Sequence, residues 1–446
     1  MDNIVIKNAT IINENKKFES DVLIKNGRFE KIVPNIIVDF RVDEINAEGK
    51  YLIPGIIDDQ VHFREPGLTH KATIFSESRA AVAGGVTSFM EMPNTNPPAF
   101  TQELLQQKYD IAARSSIANY SFYMGTSNDN YDEIMRTNAE NVCGIKIFMG
   151  SSTGNLLVDD ENVLNRIFAN SAMLIATHCE DEKTIIENNR YYKELNGDTA
   201  TGALHPIIRS DLACYISSAL AVNLARKNGT RLHILHISTE REIELFDNKL
   251  PLSEKRITSE GCVHHLNFYD RDYELLGNLI KCNPAIKTEN DRNAIRKGIL
   301  NDKIDIIATD HAPHLLEEKE QKYFSAPSGL PLVQHSFDMM YKGVQDGWIT
   351  LEKVVEKMCH APAICFNVKE RGFIREGYKA DFFLFNPNKI WEVNKSNIYY
   401  KCNWSPLLGS TFNGKVEQTF VNGKLAFQDG DGFYDVIGQR LLFDKK

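Results

Sequence analysis

The sequence lacks any apolar run approaching the ~20 residues that a membrane-spanning helix needs, so no helical span is expected. It also lacks an excess of positive charge. With 60 acidic against 51 basic residues the net charge is −9, which argues against a nucleic-acid or anionic-membrane partner. The first residues, Met1-Asp2-Asn3-Ile4, offer neither a cationic start nor an apolar core, so no secretion signal is expected. Eight cysteines are scattered without a C-x-x-C pair, which fits reduced thiols in a cytoplasmic protein. There is no internal repeat, no low-complexity segment and no G-x-G-x-x-G phosphate loop. At 446 residues the chain can still bury a large core. Its length suggests two or three domains, unless an α/β barrel takes up most of it.

What is present is organised around residues 54–67, Pro-Gly-Ile-Ile-Asp-Asp-Gln-Val-His-Phe-Arg-Glu-Pro-Gly. Ile56 and Ile57 begin an apolar strand that then turns polar. Alternation along a strand puts Gln60, His62 and Arg64 on one face and Val61 and Phe63 on the other. Three polar groups on one face of an apolar strand are costly unless they meet partners, a metal or a ligand. Pro66-Gly67 ends the strand. Polar strand ends are where an α/β barrel keeps its chemistry. For this segment alone, an edge strand with a solvated end is the alternative.

Residues 4–8, 21–25 and 28–33 read as short strands, with a hairpin signal at Asn26-Gly27. Residues 380–385 and 418–421 read alike, with Asn422-Gly423 as a second turn. Residues 1–53 plus 366–446 are therefore expected to form one β-rich unit, a small β-sandwich assembled from both termini, around a barrel at 54–365. The middle holds eight apolar strand-like runs, at 56–63, 86–92, 120–124, 144–149, 173–178, 232–237, 256–259 and 305–309. Most precede a helical pattern, such as 101–118 or 211–227. Eight β-then-α units is the count of a closed (β/α)8 TIM-type barrel. An open doubly wound sheet is the competitor, but it normally carries the glycine-rich loop that is missing here.

The strand ends carry chemistry. They bear Gln60, His62 and Arg64, then Asn94, Lys146, His178, His236 and Asp310. A lone histidine at a strand end is more often a hydrogen-bonded structural residue than a ligand, but six strand ends converging on such groups is harder to dismiss. His62, His178, His236 and Asp310 are ligand types that Zn²⁺ prefers, and they leave room for a water. Lys146 sits inside an apolar strand, which favours its neutral amine. Such an amine can take up CO₂ to give a carbamate, an anion able to bridge two metals. A snorkelling or acid-paired lysine is the alternative.

The segment 54–67 resembles the first-strand signature of dihydroorotases in the amidohydrolase superfamily. The similarity continues through Met92-Pro93-Asn94-Thr95, Lys146, His178-Cys179-Glu180-Asp181, His236-Ile237-Ser238-Thr239, Asn283-Pro284 and Asp310-His311-Ala312-Pro313-His314. The resemblance implies a zinc enzyme that interconverts N-carbamoyl-L-aspartate and L-dihydroorotate in pyrimidine synthesis. It implies a carboxylated, bridging Lys146, one metal on His178 and His236, and another on His62 and Asp310. Asp310 would also shuttle the proton. Arg64, Asn94 and His314 would grip the substrate carboxylate, and Asn283 with the Pro327-Ser328-Gly329 backbone would face the ring. Gln60 departs from the family's His-x-His, which makes it at most a weak ligand and leaves one or two zincs open. The partner implied is a small molecule, and a homodimer is compatible with the sequence.

Related cyclic-amide hydrolases, such as a hydantoinase, dihydropyrimidinase or allantoinase, share this metal chemistry. Their uncharged rings would leave Arg64 unpaired. A catalytically inactive structural partner of another pyrimidine enzyme is a third reading, although only Gln60 departs from the ligand pattern. His264-His265 reads as structural, and alternation turns His233 away from His236 toward the helices. Cys179 and Cys262 read as buried thiols, and Glu317-Glu318-Lys319-Glu320 as a solvated face.

Overall fold

The computed structural model describes residues 3–150, 156–158 and 160–444. The N-terminal part supplies β1 (Asn3–Asn13), β2 (Lys16–Lys25), β3 (Arg28–Val33), β4 (Asp43–Asn46) and β5 (Tyr51–Pro54). The next strands are parallel staves: β6 (Ile56–Val61), β7 (Val86–Glu91), β8 (Asn119–Phe122) continued by β9 (Met124–Gly125), and β10 (Ile145–Phe148). They are followed by β11 (Ile175–His178), β12 (Leu232–Ile234), β13 (Ile257–Cys262) and β14 (Ile306–Ala308). β15 (Phe382–Glu392), β16 (Thr411–Val421), β17 (Lys424–Gln428) and β18 (Gly432–Phe433) end the chain.

β6 through β14 pair in sequence order, and the ring closes where the His62 N–H donates to the His311 carbonyl at 2.7 Å. Counting β8 and β9 as one stave gives eight, the (β/α)8 barrel expected. The staves are buried almost throughout because helices cover their outer face while the barrel interior covers the other. Helices begin on side-chain caps where the sequence offers them. Thr101 accepts from the Leu104 N–H to start Gln102–Ser115, and Ser210 accepts from the Ala213 N–H to start Asp211–Asn228.

The strands of both termini join one nine-stranded sheet, ordered β18-β17-β16-β15-β5-β1-β2-β3 with β4 beside β1. Ile4, Ile6, Val22, Ile24, Phe29, Phe382 and Phe420 form a core on it. Both Asn-Gly turns take left-handed φ at their two residues (52° and 74° in each), as two-residue hairpin turns demand. The turns meet, since a Cβ on Gly27 would lie 2.7 Å from the Asn422 carbonyl oxygen. This sheet feeds the barrel directly: β5 pairs with β15, the Gly55 N–H donates to the Asp381 carbonyl at 2.9 Å, and β6 begins at the next residue.

Candidate active site

The staves deliver their last side chains to one rim, and there the backbone leaves regular geometry. Arg64, His236 and Asp310 have φ of 68°, 42° and 46°, a left-handed conformation uncommon outside glycine and concentrated at functional sites. Two pairs of side chains result. His178 Nδ1 stands 2.9 Å from His236 Nε2. His62 Nε2 stands 3.0 Å from Asp310 Oδ1, to which the Gln60 amide nitrogen also donates at 3.2 Å. Burial holds His62, His178 and His236 below the ordinary histidine range, so all three are neutral and offer a lone pair.

Lys146 lies between the pairs electrostatically. Its charge acts on His178 and His236, while Asp310 and Glu260 act on it. Burial dominates and pushes its amine down to about 7. Neutral imidazoles facing each other, a half-neutral buried lysine and a carboxylate form a donor set suited to a borderline divalent cation.

Outer contacts orient these donors. Asn94 Oδ1 lies 2.7 Å from His62 Nδ1, which puts the proton on Nδ1 and frees Nε2. Glu180 Oε2 lies 2.9 Å from His178 Nε2, and Arg209 Nε donates to Glu180 Oε1 at 2.9 Å. Burial alone would raise the Glu180 carboxyl, but Arg209 and His178 outweigh it and hold it well below the ordinary range. Sequence reasoning missed both residues. Glu180 shares strand parity with His178 and was there to be found, whereas Arg209 lies in the long excursion between β11 and β12, where no pattern singles it out.

Arg64 is buried beside this centre. Its Nε donates to the Pro313 carbonyl at 3.1 Å and its Nη2 lies 3.1 Å from His314 Nε2. Among the described residues no carboxylate forms an ion pair with it, and burial lowers its guanidinium to about 10. Lys71 Nζ lies 2.9 Å from His314 Nδ1, and His314 Nε2 lies 3.0 Å from the Ser328 carbonyl, so the neutral ring donates to Ser328. Asn283 Oδ1 is 3.2 Å from His205 Nε2. Gly329 is the one residue its place permits, at φ 140° and with a Cβ position 2.3 Å from the Ala312 carbonyl oxygen.

Two expectations are corrected. Lys319 is not on a solvated face: it is buried, and its ammonium donates to the carbonyls of Lys281, Pro327 and Gly329 at 3.0, 2.9 and 3.0 Å. His233 does not face the helices by alternation, because the left-handed turn at His236 breaks the strand's period. It bonds Thr258 Oγ1 at 2.8 Å inside the barrel and stands 3.3 Å from both Asp59 and Glu260. His264 and His265 are buried next to His236 and Asp310, with ring centroids 4.1 Å apart. Cys179 and Cys262 are buried free thiols.

A closed barrel with histidines, a lysine and an aspartate at its C-terminal rim defines the class of barrel hydrolases built around a metal centre. Comparison with known proteins narrows the class. Residues 51–426 match the amidohydrolase family, and the chain belongs to that family as a hydrolase. A dihydroorotase of Methanosphaera stadtmanae is 30% identical over 439 residues, 98% of this chain and 99% of that protein. One of Aquifex aeolicus is 32% identical over 437 residues, covering 96% and 99%. Among solved structures, an L-hydantoinase (dihydropyrimidinase) from Arthrobacter aurescens superimposes with a TM-score of 0.93 at 25% identity, covering 99% of this chain and all of that one.

Proposed function

We propose that this chain interconverts N-carbamoyl-L-aspartate and L-dihydroorotate, a ring closure in pyrimidine synthesis, as a zinc-dependent cyclic amide hydrolase. The observation that carries the reading is Arg64, a buried guanidinium at the rim with no carboxylate partner among the described residues. A buried charge of that kind is expensive unless the substrate brings the counter-ion, and dihydroorotate carries a carboxylate. The curated relatives named dihydroorotase support the same substrate. The likeness to an L-hydantoinase supports a cyclic amide as the reacting group. An uncharged hydantoin or dihydropyrimidine would leave Arg64 unpaired.

The donor set fits zinc. His178 and His236 would hold one ion, His62 and Asp310 another, and a carboxylated Lys146 would bridge them, with Gln60 at most a weak contributor. Bound there, zinc supplies an acidified water and a polarised amide carbonyl. The chain's own residues do the rest. Asp310, held by the Gln60 amide, carries the proton between water and the ring nitrogen. Arg64 binds the substrate carboxylate beside His314, joined by the Asn94 amide group left over from its contact with His62. Asn283 and the backbone of Pro327, Ser328 and Gly329 face the ring.

We read residues 54–365 as the catalytic barrel and 1–53 with 366–446 as its β-rich companion. Eight free cysteines support a reducing, cytoplasmic setting. A stripe of half-exposed Leu212, Ile216 and Leu220 along one helix supports a homodimer. The test is cyclisation of N-carbamoyl-L-aspartate by purified protein with zinc measured on the same sample. Turnover that rises and falls with zinc content is expected; zinc-loaded protein that closes no ring would overturn the reading.

A further inference from the structure

We propose that Cys262, His264 and His265 form a separate metal-binding site for one zinc-class divalent cation, at the end of β13 and beside Gln60. One donor atom from each residue lies within 4.8 Å of the others. The local chain explains the grouping. Cys262 is the last residue of β13, and the helical turn Val263–Asn267 follows at once, folding both imidazoles back over the sulfur.

The three side chains are buried, at 0%, 0% and 2% exposure, yet they are poorly satisfied. Nδ1 of His265 has no hydrogen-bond partner, and the one polar contact of His264 is with the Thr309 backbone, which leaves a ring nitrogen bare. Unpaired polar atoms in a dry interior cost free energy, and natural proteins keep few of them. His265 is moreover set up in the manner of a ligand. Its Nε2 lies 3.0 Å from the Pro284 carbonyl, which can only accept, so the proton is on Nε2 and the Nδ1 lone pair is bare.

The surroundings favour a cation. The Cys262 sulfur stands 3.7 Å from Glu260 Oε1, and Asp58, Asp59 and Asp310 also act on it. A bound cation offsets these buried acids and displaces the thiol proton, giving the thiolate that zinc-class ions prefer. One thiolate with two imidazoles selects such an ion over Mg²⁺ or Ca²⁺, which take oxygen donors. The fourth donor is at hand: Gln60 Oε1 lies 3.6 Å from the sulfur, while the other end of the same amide donates to Asp310. Gln60 thus stands between this site and the centre at Asp310. Cys262, His264 and His265 all lie outside the proposed ligand set, so the three-residue site stands whether or not the ring-closing activity does.

Cobalt loading of the full chain distinguishes the two positions, because only a thiolate ligand gives a sulfur-to-Co²⁺ charge-transfer band in the near ultraviolet. The centre at Lys146, His178 and His236 offers no sulfur. The band should appear in the natural chain, persist in Lys146→Ala, and vanish in Cys262→Ser, with one metal fewer per chain. His264→Asn keeps the thiol and serves if Cys262→Ser does not fold; it should weaken cobalt binding at the band at least tenfold. A natural chain without the band, a band that survives Cys262→Ser, or a His264→Asn titration identical to the natural one would each overturn the site.

Discussion

The amide nitrogen of Gln60 donates to Asp310 Oδ1 at 3.2 Å. A side chain at the position where the family pattern has a histidine therefore presents a donor, not a lone pair, to the proposed proton carrier. The pair of His178 and His236 keeps two neutral nitrogens facing each other at 2.9 Å. The His178 side should consequently fill first with zinc, and the Asp310 side should lose zinc to a mild chelator. Gln60→His should tighten the weaker position. Equilibrium zinc titration checks this; equal, tight occupancy in both proteins would contradict it.

Lys146 should be required for zinc, because without the bridging anion two cations face each other. Lys146→Ala is expected to lose zinc and activity together, and a short carboxylic acid should restore part of each. Carboxylation needs the neutral amine, and burial places that amine's pKa at about 7. Uptake of ¹³C-bicarbonate by the metal-free chain should therefore rise with pH through about 7, not through the usual lysine range. NMR of the carbamate carbon reads this directly, and a midpoint near an ordinary lysine value would contradict the placement.

Much of this rim was legible because alternation along β6 and the polar ends of the other staves are visible in one dimension. Gln60, His62, Lys146, His178, His236 and Asp310 needed no tertiary information to be grouped. The outer layer was hidden for particular reasons. Lys319 sits in a run of glutamates, and only the fold shows that it turns inward to carbonyls some distance away in sequence. His233 was misplaced because a single left-handed residue, His236, shifts the strand's period. Arg209 meets Glu180 across a segment whose path the sequence does not mark.

Lys319 holds the loop that carries Pro327, Ser328 and Gly329 by three carbonyls. Lys319→Met should leave the Pro327 and Gly329 carbonyls unpaired, while that of Lys281 still accepts from the Gly329 N–H, and cost on the order of 3 kcal/mol of stability. KM for dihydroorotate should rise more than kcat falls, since the loop's contact is with substrate. Denaturant unfolding and steady-state kinetics on one sample test both halves.

Arg209→Met should cost about 3–5 kcal/mol at neutral pH, because it strands the buried Glu180 carboxylate. In the natural chain the depressed folded pKa of Glu180 means its stabilisation is complete above the unfolded value of about 4.5 and is lost as pH falls through the folded one. Without Arg209, burial raises that carboxyl, and acidification then relieves the variant by protonating it. The stability gap between the two proteins should narrow from pH 7 toward pH 5; a constant gap would show that Glu180 is not the group responsible.

Arg64 waits for a substrate carboxylate, and this is read by comparing kcat/KM for dihydroorotate with that for uncharged dihydrouracil, in the natural chain and in Arg64→Met. A charge-assisted contact of this kind is worth about 2–5 kcal/mol, so the natural chain should favour dihydroorotate strongly. The variant should lose most of that preference while retaining its zinc. Efficient turnover of dihydrouracil by the natural chain, with dihydroorotate unaffected by the substitution, would contradict the account.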